Sequence, residues 1–408
     1  MNYNNAYTIL KEHGQLHVLA HFDSLDESEQ AHLLSQIAGI DWHIIDSVSH
    51  RQEITKRGSL APLDAIETDE IEKKHSLFQE LGLDAIRKQQ IGAVLLAGGQ
   101  GTRLGLDKPK GMLNVGLTKE LYLFEMLIRN LQKNTDAAGA FVPLYIMTSD
   151  KNHDDTAAFF KEHNYFGYPK DYISFFIQEM VPCTDFNGKL LMESPSSLCM
   201  SPNGNGGWYT SMHNCGILED VRRRGLKWLN VFSVDNVLQQ IADPVFIGAT
   251  IDSGCVCGAK VVRKAAPDER VGVLCLEDGR PSIVEYYEMT EEMATLRKPN
   301  GDLTYNFGVT LNYLFTVDTL EQMLGANMPL HIVEKKIPYM DASGNLIHPD
   351  KPNGYKFETL VLDMVHMSKD CIPCEIIREK EFAPIKNATG VDSLESAREL
   401  MKKNGIEL

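Results

Sequence analysis

The chain has 408 residues, 43% hydrophobic and 24% charged, with a formal net charge of −16. That is the composition of an ordinary soluble globule long enough for two or three folding units. The negative surplus argues against nucleic acid or an anionic membrane as partner, and no run approaches the roughly 18 apolar residues that span a bilayer. Eight cysteines scattered through so long a chain suit a reducing compartment. The start, Met1 to Asn5, has neither the basic region nor the apolar core of a signal peptide, so a cytoplasmic location is expected. Cys371 and Cys374 form a lone CxxC. Cys255 and Cys257 alternate like strand residues and read as small buried hydrophobes.

Residues 1–88 read as helical. Ser24, with Glu27 three positions on, has the pattern of a capping box for a helix over Leu25 to Ile37. Arg57 to Pro62 reads as a loop, and Glu70 to Leu81 as a second, more charged helix. This part carries no catalytic signature and is expected to be a packing or cover element. From Ile91 the pattern alternates. Strands are predicted at Ile91 to Leu96, Val142 to Thr148, Ile173 to Ile177 and Trp228 to Val234. Helices are predicted at Leu121 to Lys133, Asp154 to His163 and Trp208 to Arg224. Such alternation predicts an α/β fold with a mostly parallel central sheet flanked by helices. Cys255 to Thr316 is strand-rich. After about Lys336 a smaller C-terminal part follows, closing in a helix from Ser393 to Lys403. There is no internal repeat and no low-complexity segment.

The most informative stretch is Leu95 to Gly105, with Lys108-Pro109-Lys110-Gly111 after it. A short apolar strand runs into a glycine-rich loop whose backbone can approach a ligand closely and form an anion-binding nest. Arg103 and Lys110 add cations suited to phosphate, one a planar fork and the other a point charge. Two common glycine loops do not fit. A Walker loop needs Gly-Lys-Ser/Thr at its end, and none follows. A dinucleotide fingerprint needs a glycine where Leu104 stands and an acid closing the next strand, whereas Glu120 and Glu125 fall in a helical pattern. Ligands of parallel sheets bind at the carboxyl ends of strands. Ala97 to Gly105 and Asp235-Asn236 both follow strands directly, so both are expected on that rim.

The run L-x-G-G-x-G-T-R-L-G with its following P-K-G resembles the nucleotide loop of the eukaryotic-type UDP-sugar pyrophosphorylases, and most closely their UDP-N-acetylhexosamine branch. The resemblance continues in order through Ser201 to Gly207, Val234-Asp235-Asn236, Ala242-Asp243-Pro244, Cys257 to Val262, Val271-Gly272-Val273, Val284-Glu285-Tyr286, Lys335 to Tyr339 and Asn353 to Glu358. It covers most of the chain from about Ile91 to Asn387. It implies a Rossmann-like nucleotidyltransferase fold in three parts: a helical segment 1–88, a catalytic nucleotide- and sugar-binding domain 89–335, and a small part 336–408. Longer members carry an extra C-terminal β domain that this chain is expected to lack.

The family reaction joins a sugar 1-phosphate to UTP and releases pyrophosphate. The implied partners are therefore UTP, a hexose 1-phosphate, the UDP-sugar and pyrophosphate. Such chemistry needs positioning and neutralised charge rather than a covalent nucleophile, and the sequence offers no convincing Ser/His/Asp or Cys/His arrangement. By resemblance, Arg103 and Lys110 contact the triphosphate and leaving group, and Lys356 reaches the transferred phosphate. Ala97 and Gly98 contact the nucleotide through backbone, Gln178 reads the uracil edge, and Gly204 and Asn205 form a loop touching nucleotide and sugar. Gly272 lets backbone approach the ring, and Glu285 accepts from sugar hydroxyls. Asp235, closing an apolar strand, suits a magnesium or manganese ion bridging phosphates.

Two positions depart from the family pattern. Asn306-Phe307-Gly308-Val309 stands where the family has Asn-x-Gly-Asn, whose last residue touches the hexose, and Val309 cannot hydrogen-bond a hydroxyl. Asn203 stands where the family usually has Asp. The expected acceptor is N-acetylglucosamine 1-phosphate or its galactosamine epimer. Val309 keeps glucose 1-phosphate, or several sugars, as an alternative. A catalytically silent sugar-nucleotide binder would be expected to have lost Lys110, Asp235 or Lys356, and all three are present.

Overall fold

Ile91–Leu96 is a strand of six residues, every one buried, as a strand covered on both faces must be. In the computed structural model of the chain, which describes residues 1–48, 57–99, 101 and 104–408, it lies inside a sheet of ten described strands. In chain order these are β1 Leu60–Pro62, β2 Ile91–Leu96, β3 Leu144–Thr148, β4 Ile173–Ile177, β5 Trp228–Ser233, β6 Cys257–Arg263, β7 Val273–Glu277, β8 Arg280–Val284, β9 Phe307–Thr316 and β10 Ile372–Glu375. Their order is β1-β7-β9-β5-β2-β3-β4, with β8 on β7, β6 on β9 and β10 on β6.

Four adjacent strands, β5, β2, β3 and β4, are parallel. Their carboxyl ends, Ser233, Leu96, Thr148 and Ile177, therefore share one rim. β9 lies antiparallel to β5 with Phe232 opposite Asn312, so residues 307–311 run past the end of β5 on that same rim. Val273 pairs with both Gly308 and Val284, which brings the start of β7 and the end of β8 there too. Helices flank the sheet. Leu123–Ala138 buries Leu123, Phe124, Leu127, Ile128 and Leu131, the stripe that helical periodicity requires. Thr68–Arg87 and Pro244–Ser253 approach so closely that a Cβ on Gly82 would lie 1.9 Å from the Pro244 carbonyl oxygen, and one on Gly248 1.8 Å from that of Phe78.

The alternating elements fall where the pattern predicts, and three local readings change. The helix expected from Leu25 is Glu27–Ala38, and its cap is Asp26, not Ser24. Asp26 Oδ1 accepts from the Glu29 amide at 2.8 Å and Glu29 Oε2 from the Asp26 amide at 3.1 Å. Ser24 instead ends a 3₁₀ turn, its hydroxyl donating to the His21 carbonyl at 2.6 Å. Both serine and aspartate precede a glutamate by three, so the turn before them decides. Part of the expected Arg57 to Pro62 loop is β1, paired antiparallel with β7. Three residues are too few to show a period, and Pro62 suits a sheet edge. The expected helix Trp208 to Arg224 is two helices, Trp208–Asn214 and Ile217–Arg224, broken where Gly216 adopts φ +74°.

The chain forms two compact units that interleave in sequence. The smaller takes Met1–Lys56, Glu179–Gly207 and Met328–Val361. The larger takes Arg57–Gln178, Trp208–Asn327 and Leu362–Leu408 and holds the ten-stranded sheet. The core of the smaller unit joins Ala6, Leu10, Leu33 and Ile37 to Leu190, Leu198, Tyr355 and Phe357. That of the larger unit gathers Leu95, Phe124, Ile146, Phe232, Ile247 and Leu314. No helix among the described residues is long and apolar enough to cross a membrane.

Candidate active site

The carboxyl rim of the large sheet collects residues from distant parts of the sequence. At the end of β2 the Ala97 amide donates to the Met147 carbonyl at 2.9 Å, so the chain leaves the sheet only at Gly98. Next along the rim, the Gln178 amide donates to the Thr148 carbonyl at 2.8 Å. Gln178 is 6% exposed, and a Cβ built on Gly98 would lie 2.7 Å from its Oε1. Glycine at that position is thus a packing requirement. Arg103 lies outside the described residues, as do Gln100 and Thr102.

At the end of β5, Asp235 Oδ1 accepts from Lys110 Nζ at 2.5 Å, a charge-assisted bond between residues 125 apart in sequence. Lys110 is 12% and Asp235 29% exposed, so the pair is sheltered but open to a small ligand. The turn carrying Asp235 is stitched to the C-terminal segment. The Asp235 carbonyl accepts from the Ile385 amide at 3.0 Å. Asn236 gives Nδ2 to the Glu381 carbonyl at 2.7 Å and takes the Ala383 amide on Oδ1 at 2.9 Å. Among the described residues no three His, Cys, Asp or Glu side chains converge as a metal cage. Asp235 therefore offers a lone carboxylate. That donor set suits magnesium, which keeps several waters and is bound by one or two carboxylates plus substrate phosphates.

Three expected sugar-side residues also meet on this rim. The Val309 amide donates to the Gly272 carbonyl at 2.9 Å, and a Cβ on Gly272 would lie 3.3 Å from Glu285 Oε1. Val309 sits at a bulge of β9. Ala259 pairs with Tyr313 but Val261 with Val309, so β9 carries extra residues there, and Leu311 is forced to φ +53°. Bulges of this kind re-aim side chains beside functional sites.

The remaining three expected residues belong to the smaller unit. Gly204 adopts φ +85°, and a Cβ there would lie 2.2 Å from the Thr359 carbonyl oxygen. Asn205 Oδ1 accepts from the Val361 amide at 3.0 Å. Lys356 lies in the strand Gly354–Glu358, paired antiparallel with His331–Lys335. Burial pushes the neighbouring Cys199 thiol up to about 12, and Cys183 also upward, with the charge of Lys356 opposing both only slightly. These thiols are packing residues rather than nucleophiles.

One residue that matters here had no motif to announce it. Asn152, just past β3, donates from Nδ2 to the Ala97 carbonyl at 3.0 Å and accepts from the Ser149 amide at 2.7 Å. It fixes the carbonyl at the mouth of the glycine loop. Its only signal in sequence is a buried-type amide directly after a strand end.

The chain is similar in sequence and in fold to known proteins. The UTP–glucose-1-phosphate uridylyltransferase family model matches residues 27–406. A human UDP-N-acetylhexosamine pyrophosphorylase-like protein 1 is 42% identical over 324 residues, 77% of this chain and 64% of that protein. A Saccharomyces cerevisiae UDP-N-acetylglucosamine pyrophosphorylase is 37% identical over 93% of this chain and 85% of its own length. A solved structure of the uridine diphosphate N-acetylglucosamine pyrophosphorylase of Trypanosoma brucei superposes with a TM-score of 0.84 at 29% identity, over 98% of this chain and 84% of that one. Sequence and architecture together show that the chain belongs to the UTP–glucose-1-phosphate uridylyltransferase family.

Proposed function

We propose that this protein joins a hexose 1-phosphate to UTP, forming a UDP-sugar and releasing pyrophosphate, with N-acetylglucosamine 1-phosphate or N-acetylgalactosamine 1-phosphate as its acceptor. The observation that carries the reading is the Lys110–Asp235 contact on the carboxyl rim. It couples the loop of the first motif to the strand end of another. A phosphate oxygen of the sugar attacks the α-phosphorus of UTP in line, and the bond to pyrophosphate breaks. Both reactants are anions and the chain carries a net −16, so the site must supply its own positive field.

Lys110 supplies it at the leaving group, with Arg103 as its partner by motif. Asp235 would hold a magnesium or manganese ion, which when bound neutralises phosphate charge. Ala97 and Gly98 present backbone to the nucleotide, and Gln178 pairs with the uracil edge. Glu285 accepts from sugar hydroxyls beside Gly272. For Gly204, Asn205 and Lys356, in the smaller unit, the proposed contacts with nucleotide, sugar and transferred phosphate rest on their motifs. The substrates are small soluble anions, and the scattered free cysteines support a cytoplasmic site of action.

A second acceptor, glucose 1-phosphate, is favoured by one observation: the partly buried Val309 puts an apolar side chain where a hydroxyl-pairing amide is expected. The deciding assay is pyrophosphate release with UTP and magnesium, comparing the two sugar phosphates. A higher kcat/KM for N-acetylglucosamine 1-phosphate is the expected result. The reverse preference would make Val309 the selecting residue, and no release with either of these or with N-acetylgalactosamine 1-phosphate would refute the reaction.

A further inference from the structure

The turn that carries Glu285 is clamped by an arginine far away in sequence. The Glu288 amide donates to the Glu285 carbonyl at 2.9 Å, and the Glu285 amide donates back to Glu288 Oε2 at 2.9 Å. The carboxylate of Glu288 is in turn gripped side-on by Arg57, through Nη2 at 2.7 Å and Nε at 3.2 Å. The same guanidinium reaches Glu277 Oε2 at 2.9 Å, Ser282 Oγ at 3.3 Å and the Ile283 carbonyl at 3.1 Å. Ser282 closes the ring by donating to Glu277 Oε2 at 2.8 Å.

An arginine has five N–H donors in a rigid fork. Here the fork fastens the turn Glu285–Glu288 to the hairpin β7–β8, whose open end lies on the site rim. The geometry points to Arg57 as a positioning residue for the sugar end of the site: it acts through Glu288 to fix the backbone of Glu285, and with it the carboxylate facing Gly272. This rests on the reading of Glu285 as an acceptor of sugar hydroxyls. Arg57, Glu277 and Glu288 are partly covered, but Arg57→Lys keeps the positive charge beside both carboxylates, so the cost in stability is modest. A clamp on a binding carboxylate is felt instead in the affinity for one substrate, because misplacing a contact by about 1 Å can cost on the order of 100-fold.

The test uses Arg57→Lys and Glu288→Gln, singly and together, in the full chain. Lysine keeps the charge but cannot reproduce the fork. Each single variant is expected to raise KM for the sugar 1-phosphate roughly ten-fold, with KM for UTP unchanged and Tm little altered. The double variant should be no worse than the poorer single one, because both break the same clamp. Equal rises in both KM values, strictly additive effects, or unchanged sugar KM in folded variants would overturn the inference while leaving the reaction standing. Binding of UDP-N-acetylglucosamine by calorimetry gives a readout independent of turnover. Wild-type protein that neither binds it nor transfers would bring down the reading of Glu285 and this inference with it.

Discussion

Lys260→Met is the sharpest test of what holds the larger unit together. The Lys260 side chain is 2% exposed, with Nζ 2.7 Å from Asp243 Oδ2 and 2.6 Å from Glu381 Oε2, themselves 18% and 19% exposed. Methionine fills similar space and keeps contact with Phe246, over whose ring the ammonium lies. What it removes is the cation between two covered carboxylates. Breaking a buried ion pair from one side costs about 3–5 kcal/mol, comparable to the lower end of the total stability of a folded domain. A loss of about 4 kcal/mol is roughly a thousand-fold in the unfolding constant. Urea titration followed by tryptophan fluorescence reads this directly, since Trp208 and Trp228 both belong to the larger unit.

The pH dependence has a definite sign. In the native protein burial alone would raise Asp243, but the charge and hydrogen bond of Lys260 bring it below the usual carboxylate range. Burial, reinforced by Asp243, leaves Glu381 above its usual value despite Lys260. Without the lysine both carboxyls titrate higher folded than unfolded. A folded pKa above the unfolded one favours the fold at low pH, and the advantage is lost as pH rises through it. The deficit of the variant should therefore be greatest at pH 7 and shrink toward about pH 4. Adding Asp243→Asn and Glu381→Gln should restore most of the stability, because neutral replacement of a whole buried ion cluster is close to neutral. A cost below about 1 kcal/mol at pH 7, a deficit that grows on acidification, or a triple variant no better than the single would refute the reasoning.

Three further outcomes bear on the site. Lys110→Met should lower kcat by about 100-fold or more in protein that remains folded, since a contact made in the transition state is lost; near-normal turnover would remove Lys110 from the chemistry. Val309→Asn should change the ratio of kcat/KM between N-acetylglucosamine 1-phosphate and glucose 1-phosphate, and an unchanged ratio would mean that the position does not select. Gly98→Ala drives a methyl to 2.7 Å from Gln178 Oε1, so it should weaken UTP binding more than sugar phosphate binding; equal KM values for UTP in the two proteins would detach Gln178 from nucleotide recognition.

Much of the larger unit was legible because its strands are short apolar runs bounded by turns. Ile91 to Leu96 and Ile173 to Ile177 coincide with strands. Once four such strands are parallel, geometry puts Ala97, Gln178 and Asp235 on one rim. What periodicity could not reveal were features set by tertiary pairing. Asp26 rather than Ser24 caps its helix because a 3₁₀ turn consumes the serine. Arg57 resembles any loop arginine until its partners, more than 200 positions away (231 for Glu288), come into contact. The Lys110–Asp235 contact likewise joins motifs that nothing local connects.

The interleaving of the two units has a consequence for how the chain is made. Ala6, Leu10, Val18 and Phe22 share a core with Tyr355 and Phe357. A ribosome working at about 5–20 residues per second makes those last partners on the order of tens of seconds after the first helix emerges. For much of that interval the N-terminal helices have only Leu190, Met192 and Leu198 of the middle segment to share their core. Each fragment that stops before Phe357 is left with this core incomplete, so nonsense products and stalled chains should be substrates for chaperones and proteases. The smaller unit is in this sense a clasp supplied by three distant stretches of the message, and it closes only when the last of them has been made.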